Sequence, residues 1–197
     1  MNLNPKILII GSTGELGTKL LKFCAKNKIK IKAITGFKNK KKLKIQKEKF
    51  NIQNSFLLSD QFEKLNFIKY LNKTKIDIIY FLDFGYGSII YADIFLANNK
   101  YSYLAIANKE MILAGGNLLI KKIKNSKNNL IPLDSEHFSL YNFNLKNEYI
   151  KNIFITASGG PFYSNKKINL NKVKLRQVLS HPRWKMGINN SIDSSNF

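Results

Sequence analysis

Two hydrophobic periods alternate over the first two thirds of the chain. Apolar runs, and apolar residues that alternate with lysine, predict buried strands at 6–10, 29–35, 77–82, 103–107 and 131–133. Apolar residues at the helical spacing predict helices at 15–27, 61–71, 88–98 and 109–127, the last one broken near Gly115 and Gly116. Strands that alternate with helices indicate βαβ units. The sequence therefore predicts an α/β fold, a Rossmann-like parallel sheet with helices on both faces.

The remaining third has a weaker pattern. A strand is predicted at 149–155, and the tail from Ser180 onward is predicted to be irregular. We expect a Rossmann-like domain over residues 1–133 and a second, α+β domain over 134–197. In the first helix, the helical spacing predicts that Leu16, Leu20, Phe23 and Cys24 lie on one face.

The formal net charge of +21 is only weak evidence for nucleic-acid binding. Lysine accounts for 31 of the 33 basic residues, and the lysines are spread along the whole chain. Nucleic-acid-binding proteins favour arginine for bidentate and stacking contacts. Abundant Lys, Asn and Ile also fit a genome rich in A/T codons. We expect only weak, salt-sensitive binding to polyanions and no specific nucleic-acid partner.

Cys24 is the single cysteine, which excludes a disulfide framework and a cysteine metal site. It falls in the first predicted helix, so we expect a buried structural thiol, and a dehydrogenase with a covalent cysteine is disfavoured. The first strand begins too soon after Met1 to leave room for a signal peptide, and the chain lacks a run of about 18 apolar residues for a membrane span. These features predict a cytoplasmic protein without a membrane partner.

A glycine motif, GSTGELG at 11–17, follows the first strand and opens the first helix. In that position glycines permit a tight turn, close approach of a pyrophosphate and close packing of the helix on the strand. Free N–H groups of Thr13, Gly14, Glu15 and Leu16 would face phosphates at the positive end of the helix. The alternative is a plain strand-turn-helix whose glycines serve geometry only.

The residues after the second strand favour NADP over NAD. An NAD site usually has an acidic residue about 20 positions beyond the glycine turn, to hold the ribose 2′-hydroxyl. Here no acidic residue occurs between Glu15 and Glu48. The strand leads instead into Gly36, Lys38 and Asn39, in a lysine cluster that would accept the 2′-phosphate of NADP. A solvated lysine loop is the alternative.

The segment LDSEH at 133–137 concentrates rare residue types, with two of the 12 acidic residues and one of the two histidines. In an extended or turning segment, Asp134 and Glu136 can point the same way. Such a pair suits a hard divalent cation, Mg2+ or Mn2+. The alternative is a helix start in which Asp134 or Ser135 is the N-cap and Glu136 lies in the first turn.

Three further segments add candidate chemistry. Asn108, Lys109 and Glu110 follow a strand at the edge where open α/β sheets bind ligands, although they would also suit an ordinary helix start. The turn SGG at 158–160 would cradle a phosphate or serve only as a loop with unusual backbone angles. The segment HPRWKMG at 181–187 is typical of a lid that covers a ligand, and a surface loop anchored by one buried Trp is its alternative.

Taken in order, these segments resemble the 1-deoxy-D-xylulose 5-phosphate reductoisomerases, NADPH enzymes of the methylerythritol phosphate route to isoprenoids. The resemblance runs from residue 7 to the end of the chain. The matching segments are GSTGELG, GFKN, LAIANKE, PLDSEH, TASGGPF, and HPRWKMG followed by Ser191–Ser194. PLDSEH is specific to the family, as is SGGPF together with HPxWxMG, whereas GSTGxxG is not.

The resemblance assigns roles to the matching positions. Asp134 and Glu136 would be metal ligands, and together with Lys109 and His181 they would form the catalytic group. The cofactor contacts would be Thr13, Gly14, Glu15, Leu16, Gly36, Lys38, Asn39, Asn108, Glu110 and Gly187. The substrate contacts would be Lys109, Ser135, Glu136, Ser158, His181 and Ser194, and the lid would carry Trp184 and Met186.

The function that the resemblance implies is the rearrangement and NADPH-dependent reduction of 1-deoxy-D-xylulose 5-phosphate to 2-C-methyl-D-erythritol 4-phosphate. The implied cofactors are NADPH and Mg2+ or Mn2+. The implied partners are a small sugar phosphate and, in the complete enzyme, a second copy of the chain in a homodimer. A divalent cation would stabilise negative charge during the carbon rearrangement, and NADPH would then deliver hydride.

The chain also departs from the family pattern. Phe37 is inserted before Lys38, the run Phe84–Gly87 replaces small residues near the nicotinamide, and Asn189 and Asn190 replace a basic-apolar pair. The family's Asn-Lys-Gly-Leu-Glu block, with the third metal carboxylate, is expected after Ser194 but the chain stops first. We therefore expect an incomplete catalytic domain with little activity of its own. The alternatives are an inactive NADPH-binding remnant and one half of a split enzyme.

Overall fold

Six parallel strands form one sheet in the computed structural model, which describes residues 5–141, 143, 150–154, 159–164, 168–182 and 188–195. The strands are β1 (Ile7–Ile10), β2 (Ile31–Gly36), β3 (Asn54–Leu57), β4 (Ile78–Phe81), β5 (Tyr103–Ile106) and β6 (Asn129–Pro132). They lie in the order β3-β2-β1-β4-β5-β6, and every neighbouring pair is parallel. This is the doubly wound order of a Rossmann-like sheet, so the predicted fold class is confirmed.

Helices follow the strands, and the first, third, fourth and fifth of them were predicted from the sequence. The helices are α1 (Glu15–Lys26), α2 (Lys40–Lys49), α3 (Gln61–Lys73), α4 (Ile89–Asn98), α5 (Lys109–Asn125), α6 (Ser135–Tyr141), α7 (Leu175–Val178) and α8 (Ile188–Ser194). The predicted break in α5 is confirmed, since Gly116 has non-helical angles of φ 48° and ψ −142°. None of the helices in the described ranges combines the length and the apolar character that crossing a bilayer requires.

The core lies on both faces of the sheet. Along β1, Leu8 and Ile10 belong to one buried cluster, and Ile7 and Ile9 belong to another. Successive side chains of a strand point to opposite faces, so these two clusters lie on opposite sides of β1. A strand that is buried on both faces reads as a continuous apolar run, which is why ILII was recognisable in the sequence.

Helix α1 contacts the sheet through a different face from the predicted one. Gly17, Leu21 and Cys24 are buried, whereas Leu16 and Phe23 are 52% and 58% exposed. The prediction that Leu16 and Phe23 share a face with Cys24 was wrong, because α1 packs through the side of Gly17, which lies tightly against the turn after β1. The buried stripe then continues at the helical spacing from that glycine, and the buried thiol of Cys24 is confirmed.

One βα pair was not predicted from the sequence. Helix α2 has the sequence KKKLKIQKEK, and only Leu43 and Gln46 are buried. Strand β3 has the sequence NSFL, of which only Leu57 is fully buried. Neither segment carries a clear apolar period, because both lie at the edge of the sheet, where one side faces solvent.

The chain divides into two compact units, residues 1–144 and 145–197. The predicted functional boundary after residue 133 stays a prediction. In the second unit, residues 150–154 are not a strand, so the strand predicted there was wrong, while its ends at 149 and 155 lie outside the described residues. A strand needs a hydrogen-bonded neighbour, and the described residues pair none with this segment. The prediction of an irregular tail was also wrong for the residues of α8. The sequence carries no signal for this helix, because it is polar and buries Ser191 rather than an apolar stripe.

Candidate functional site

The strands β1, β4, β5 and β6 are neighbours and parallel, so their carboxyl ends lie side by side. The side of the sheet where the strands end is called the carboxyl edge. Beyond them come the glycine turn, Asp83, Asn108 and Asp134 in turn. Neighbouring strands are about 4.8 Å apart, so the turn and Asp134 are separated by three spacings, about 14 Å. Residues far apart in the sequence thus share the edge at which open α/β sheets bind ligands.

The glycine turn has the tight geometry that the motif predicts. Gly11 has a φ of +83°, and a Cβ built there would lie 2.6 Å from the backbone nitrogen of Asp83. Gly14 is the N-cap of α1, and no side chain caps the helix. The N–H group of Gly14 donates to the carbonyl oxygen of Gly11 at 3.1 Å, so this group is used within the turn and the prediction that it is free was wrong. A ligand could approach the Gly14 backbone closely because glycine has no side chain. It could accept hydrogen bonds from the backbone N–H groups of Glu15 and Leu16 in the uncapped first turn.

A buried polar network, which the sequence reasoning missed, holds this turn in place. The Oγ of Ser12 donates to Gln46 Oε1 at 2.8 Å, and Gln46 Nε2 donates to the carbonyl oxygen of Ser12 at 2.9 Å. The Ser12 N–H donates to the carbonyl oxygen of Thr35 at 2.8 Å. All three side chains are buried. The only sign of this network in the sequence of α2 is Gln46, a single glutamine among lysines. A buried amide needs hydrogen-bonding partners, and the fold supplies them.

The end of β2 lies against the turn and carries the predicted lysine cluster. A Cβ on Gly36 would lie 2.9 Å from Thr13 Cγ2, so the two segments are in close contact. Lys38 is exposed. The Asn39 side chain caps α2 by accepting the Lys42 N–H at 2.9 Å, and the first turn of α2 contains no acidic residue. The capping role of Asn39 was not predicted.

Asn108 is 1% exposed, and its side chain is fully engaged within the protein. Its Nδ2 donates to Asp83 Oδ1 at 3.2 Å and to the carbonyl oxygen of Gly85 at 2.9 Å. Its Oδ1 accepts the Met111 N–H at 3.0 Å and so caps α5. Asn108 therefore caps α5, as the ordinary helix-start alternative expects, and its role as a cofactor contact stays a prediction.

Lys109 and Glu110 follow directly in the first turn of α5. Lys109 is exposed and Glu110 is partly buried. Asp83, which the sequence reasoning missed, lies close by and accepts a hydrogen bond from the Ser88 hydroxyl. Burial raises the pKa of the Asp83 carboxyl above its ordinary value, and the charge of Glu110 adds to that rise, while the hydrogen bonds from Ser88 and Asn108 oppose it.

Asp134 caps α6, as the helix-start alternative for LDSEH expects, and the metal-binding role of Asp134 and Glu136 stays a prediction. The Asp134 Oδ1 accepts the His137 N–H at 2.9 Å and lies 2.5 Å from His137 Nδ1. Partial burial pushes the pKa of the Asp134 carboxyl upward, but the hydrogen bonds and charge of His137 outweigh it, so the pKa lies below its ordinary value. Ser135 and Glu136 are exposed, and the Ser135 hydroxyl donates to Glu136 Oε2 at 3.2 Å.

A metal ion would find an incomplete ligand set here. Within the described ranges, no three His, Cys, Asp or Glu side chains are arranged to hold one ion. Asp134 and Glu136 provide hard carboxylate oxygens, the donor type that Mg2+ and Mn2+ prefer. These residues fit such a cation only if water or a bound molecule fills its remaining positions.

The other predicted residues belong to the second unit, residues 145–197. His181 and Ser194 are partly buried, and the Ser194 hydroxyl donates to the carbonyl oxygen of Ser191 at 2.9 Å. A Cβ on Gly160 would lie 2.1 Å from the Ser194 carbonyl oxygen, so Gly160 lies tightly against the end of α8. The remaining predicted positions lie outside the described residues; they are Ser158, Trp184, Met186 and Gly187.

Comparison with known proteins finds one family. The family model described as 1-deoxy-D-xylulose 5-phosphate reductoisomerase matches residues 7–83, and the model of that enzyme's C-terminal domain matches residues 130–197. Among curated relatives, the reductoisomerase of Pelagibacter ubique (strain HTCC1062) is 35% identical, over 96% of this chain and 54% of the relative. That of Clostridium novyi (strain NT) is 34% identical over the same shares. The chain spans about half the length of the curated relatives it matches.

Solved structures show the same fold. The reductoisomerase from Zymomonas mobilis in complex with NADPH matches with a TM-score of 0.78 and 23% identity, over 98% of this chain and 54% of that one. A DOX-P reductoisomerase in complex with NADPH, fosmidomycin and magnesium matches with the same TM-score and identity, over 97% and 54%. The two family models match residues 7–83 and 130–197, and both describe the same enzyme. The relatives above 30% identity carry the same name. The chain belongs to the 1-deoxy-D-xylulose 5-phosphate reductoisomerase family.

Proposed function

We propose that the chain supplies the NADPH-binding part, and part of the metal and substrate site, of an enzyme that converts 1-deoxy-D-xylulose 5-phosphate into 2-C-methyl-D-erythritol 4-phosphate. One observation carries the proposal: an uncapped helix behind a glycine turn lies beside a lysine-rich helix start without acidic residues. The names of the relatives support the reaction. Since the chain spans about half of their length, the reaction is proposed for the enzyme to which this half belongs.

The glycine turn would bind the pyrophosphate of the cofactor. The first turn of α1 has no side-chain cap, and the helix dipole places positive potential at its N–H groups. Gly14 allows the phosphates to approach the backbone, and the Ser12–Gln46 network keeps the turn rigid from behind. Rigid donors bind better because less conformational freedom is lost on binding.

The start of α2 would select NADPH over NADH. Lys40, Lys41 and Lys42 lie at the positive end of the helix, where cations are unfavourable, and no acidic residue offsets them. The preceding Lys38 adds a further positive charge beside Gly36. A 2′-phosphate bound here would replace this repulsion with attraction, whereas a 2′-hydroxyl would gain little.

The carboxylates after β6 would hold the divalent cation and the substrate. His137 fixes Asp134 in one orientation through Oδ1, and Glu136 extends a second carboxylate into solvent. Lys109 offers a positive charge at the neighbouring strand end, suited to an anionic sugar phosphate. When bound, the cation supplies Lewis acidity at the substrate oxygens, and NADPH supplies the hydride. The proposed substrate contacts of His181 and Ser194, in the second unit, rest on the family resemblance alone.

Fluorescence titration of the purified chain with NADPH and NADH tests the cofactor part of the proposal. We expect NADPH to bind more tightly, and Lys38→Ala to weaken NADPH while leaving NADH unchanged. Lys30→Ala, an exposed lysine before β2, is the matched control and should change neither affinity. Equal affinity for the two nucleotides, or an equal effect of the two substitutions, would contradict the assignment.

NADPH oxidation with 1-deoxy-D-xylulose 5-phosphate and Mn2+ tests the reaction. We expect little turnover by the chain alone, because the described residues provide two metal carboxylates rather than three. Turnover that appears only after a second polypeptide is added would support a split enzyme. Binding of NADPH without turnover under any condition would support the cofactor-binding remnant. A homodimer and a cytoplasmic location remain parts of the proposal, to be tested by light scattering and fractionation.

A further inference from the structure

Asp83 is a carboxylate at the centre of the sheet edge that the proposed chemistry does not use. It follows β4, and its two oxygens have different partners. Oδ1 accepts a hydrogen bond from Asn108 Nδ2 at 3.2 Å, and Oδ2 accepts one from the Ser88 hydroxyl. The carboxylate therefore joins the loop after β4 to the loop after β5.

The bond to Asn108 decides which way that buried amide faces. Its Nδ2 meets two acceptors, Asp83 Oδ1 and the carbonyl oxygen of Gly85, so the NH2 group must point toward β4. The Oδ1 is then directed to the N-terminus of α5, where it accepts the Met111 N–H. An acceptor in the loop after β4 thus sets the cap of a helix that begins after β5.

The same residue touches the glycine turn. A Cβ on Gly11 would lie 2.6 Å from the Asp83 backbone nitrogen and 2.9 Å from its Cα, so the two backbones are in direct contact. Asp83 is therefore in contact with the turn after β1 and, through Asn108, with the residues after β5.

We propose that Asp83 is a positioning residue: through Asn108 it fixes the start of α5, and with it Lys109 and Glu110, relative to the glycine turn. The hydrogen-bonding role stands on the geometry alone. Its consequence for the cofactor rests on the proposed function.

Two substitutions separate hydrogen bonding from size and charge. Asp83→Asn keeps an oxygen that accepts from Asn108 and gains an NH2 group that donates to the Ser88 hydroxyl. Asp83→Leu is similar in size but makes neither bond. Asn99→Leu is the matched control, because Asn99 is also a buried side chain that accepts a backbone hydrogen bond, from the Ile76 N–H at 2.9 Å. These two residues precede β5 and β4, so they lie at the amino ends of the strands, opposite to Asp83.

Amide hydrogen exchange and the side-chain NH2 resonances of 15N-labelled protein provide the first readout. In D83L we expect Met111 N–H exchange to rise about tenfold and the protected Asn108 NH2 pair to be lost, since one buried hydrogen bond is removed. D83N should restore both signals, and N99L should leave them unchanged. If D83L does not fold, Asp83→Ala removes the same bonds with less crowding. Unchanged Met111 exchange in the folded variant, or failure of D83N to restore it, would overturn the proposal.

NADPH titration of the same proteins provides the second readout. We expect D83L to weaken NADPH binding about tenfold, D83N to lie close to wild type, and N99L to lose stability without losing affinity. Equal loss of affinity in D83L and N99L would overturn the positioning role. If the wild-type chain binds no NADPH, the proposed cofactor function fails, and the exchange readout still decides whether Asp83 fixes the start of α5.

Discussion

The substitution Gly17→Ala in α1 has two opposite effects on the stability of the protein. Helix propensity predicts that alanine is better than glycine by about 1 kcal/mol in a helix interior. The structure predicts the opposite sign. A Cβ at this position would lie 2.5 Å from the Gly11 carbonyl oxygen and 2.5 Å from the Ser12 Cα. Both atoms belong to backbone, so no side chain can rotate away to make room.

The size of the effect follows from how far the helix must move. Cβ contacts below 3.0 Å are essentially never seen, so α1 has to shift away from the turn by at least half an ångström. Forcing extra atoms into a packed contact costs about 1–3 kcal/mol, occasionally more. Because both clashing atoms are backbone, we expect the upper part of that range, about 2–3 kcal/mol, and after the propensity gain of about 1 kcal/mol a net loss of about 1–2 kcal/mol in the free energy of unfolding. The shift also displaces the first-turn N–H groups, and we expect NADPH affinity to fall about tenfold.

Urea denaturation followed by circular dichroism measures the stability change, and fluorescence titration measures the affinity. Gly87→Ala is the matched control, since a Cβ there meets nothing within 4 Å and should change stability by less than about 0.5 kcal/mol. A G17A protein that is as stable as wild type, or more stable, would refute the packing argument and leave propensity as the dominant effect. Full NADPH affinity in a destabilised G17A protein would refute the link between this contact and the cofactor site.

Two further predictions concern side chains that hold the site in place. Gln46→Leu leaves Ser12 without its amide partner in a buried setting, and we expect a loss of about 1–3 kcal/mol in urea unfolding, whereas exposed Gln61→Leu should be nearly neutral. Asp134→Ala removes the cap of α6, and we expect a loss of about 1 kcal/mol, against almost none for Glu136→Ala. Because the pKa of Asp134 is lowered in the folded state, its contribution is present above the ordinary aspartate pKa and is lost as the pH falls through the lowered one. Unfolding curves over that pH range should converge for wild type and D134A, and a constant difference would contradict the linkage.

Parts of the fold were accessible from local pattern. The ILII run of β1 is buried on both faces and therefore apolar at every position, and the glycine motif follows it directly. Helix α2 was not accessible, because a helix at the edge of the sheet with six lysines in KKKLKIQKEK buries only one apolar side chain and one amide. The face of α1 was also missed, since hydrophobicity alone did not reveal that Gly17 lies tightly against the turn after β1.

The sequence by itself determined the parallel α/β fold, the glycine turn, the absence of an acidic residue after β2 and the positions of two carboxylates after β6. These are local properties: hydrophobic period, backbone freedom and residue type can each be read within about ten residues. Tertiary structure alone decided the pairing of Asn108 with Asp83, which is 25 positions away, and of Gln46 with Ser12, which is 34 positions away. Buried polar groups must find partners wherever the fold brings them, and strand order, which is set by the whole chain, places those partners at one edge of the sheet.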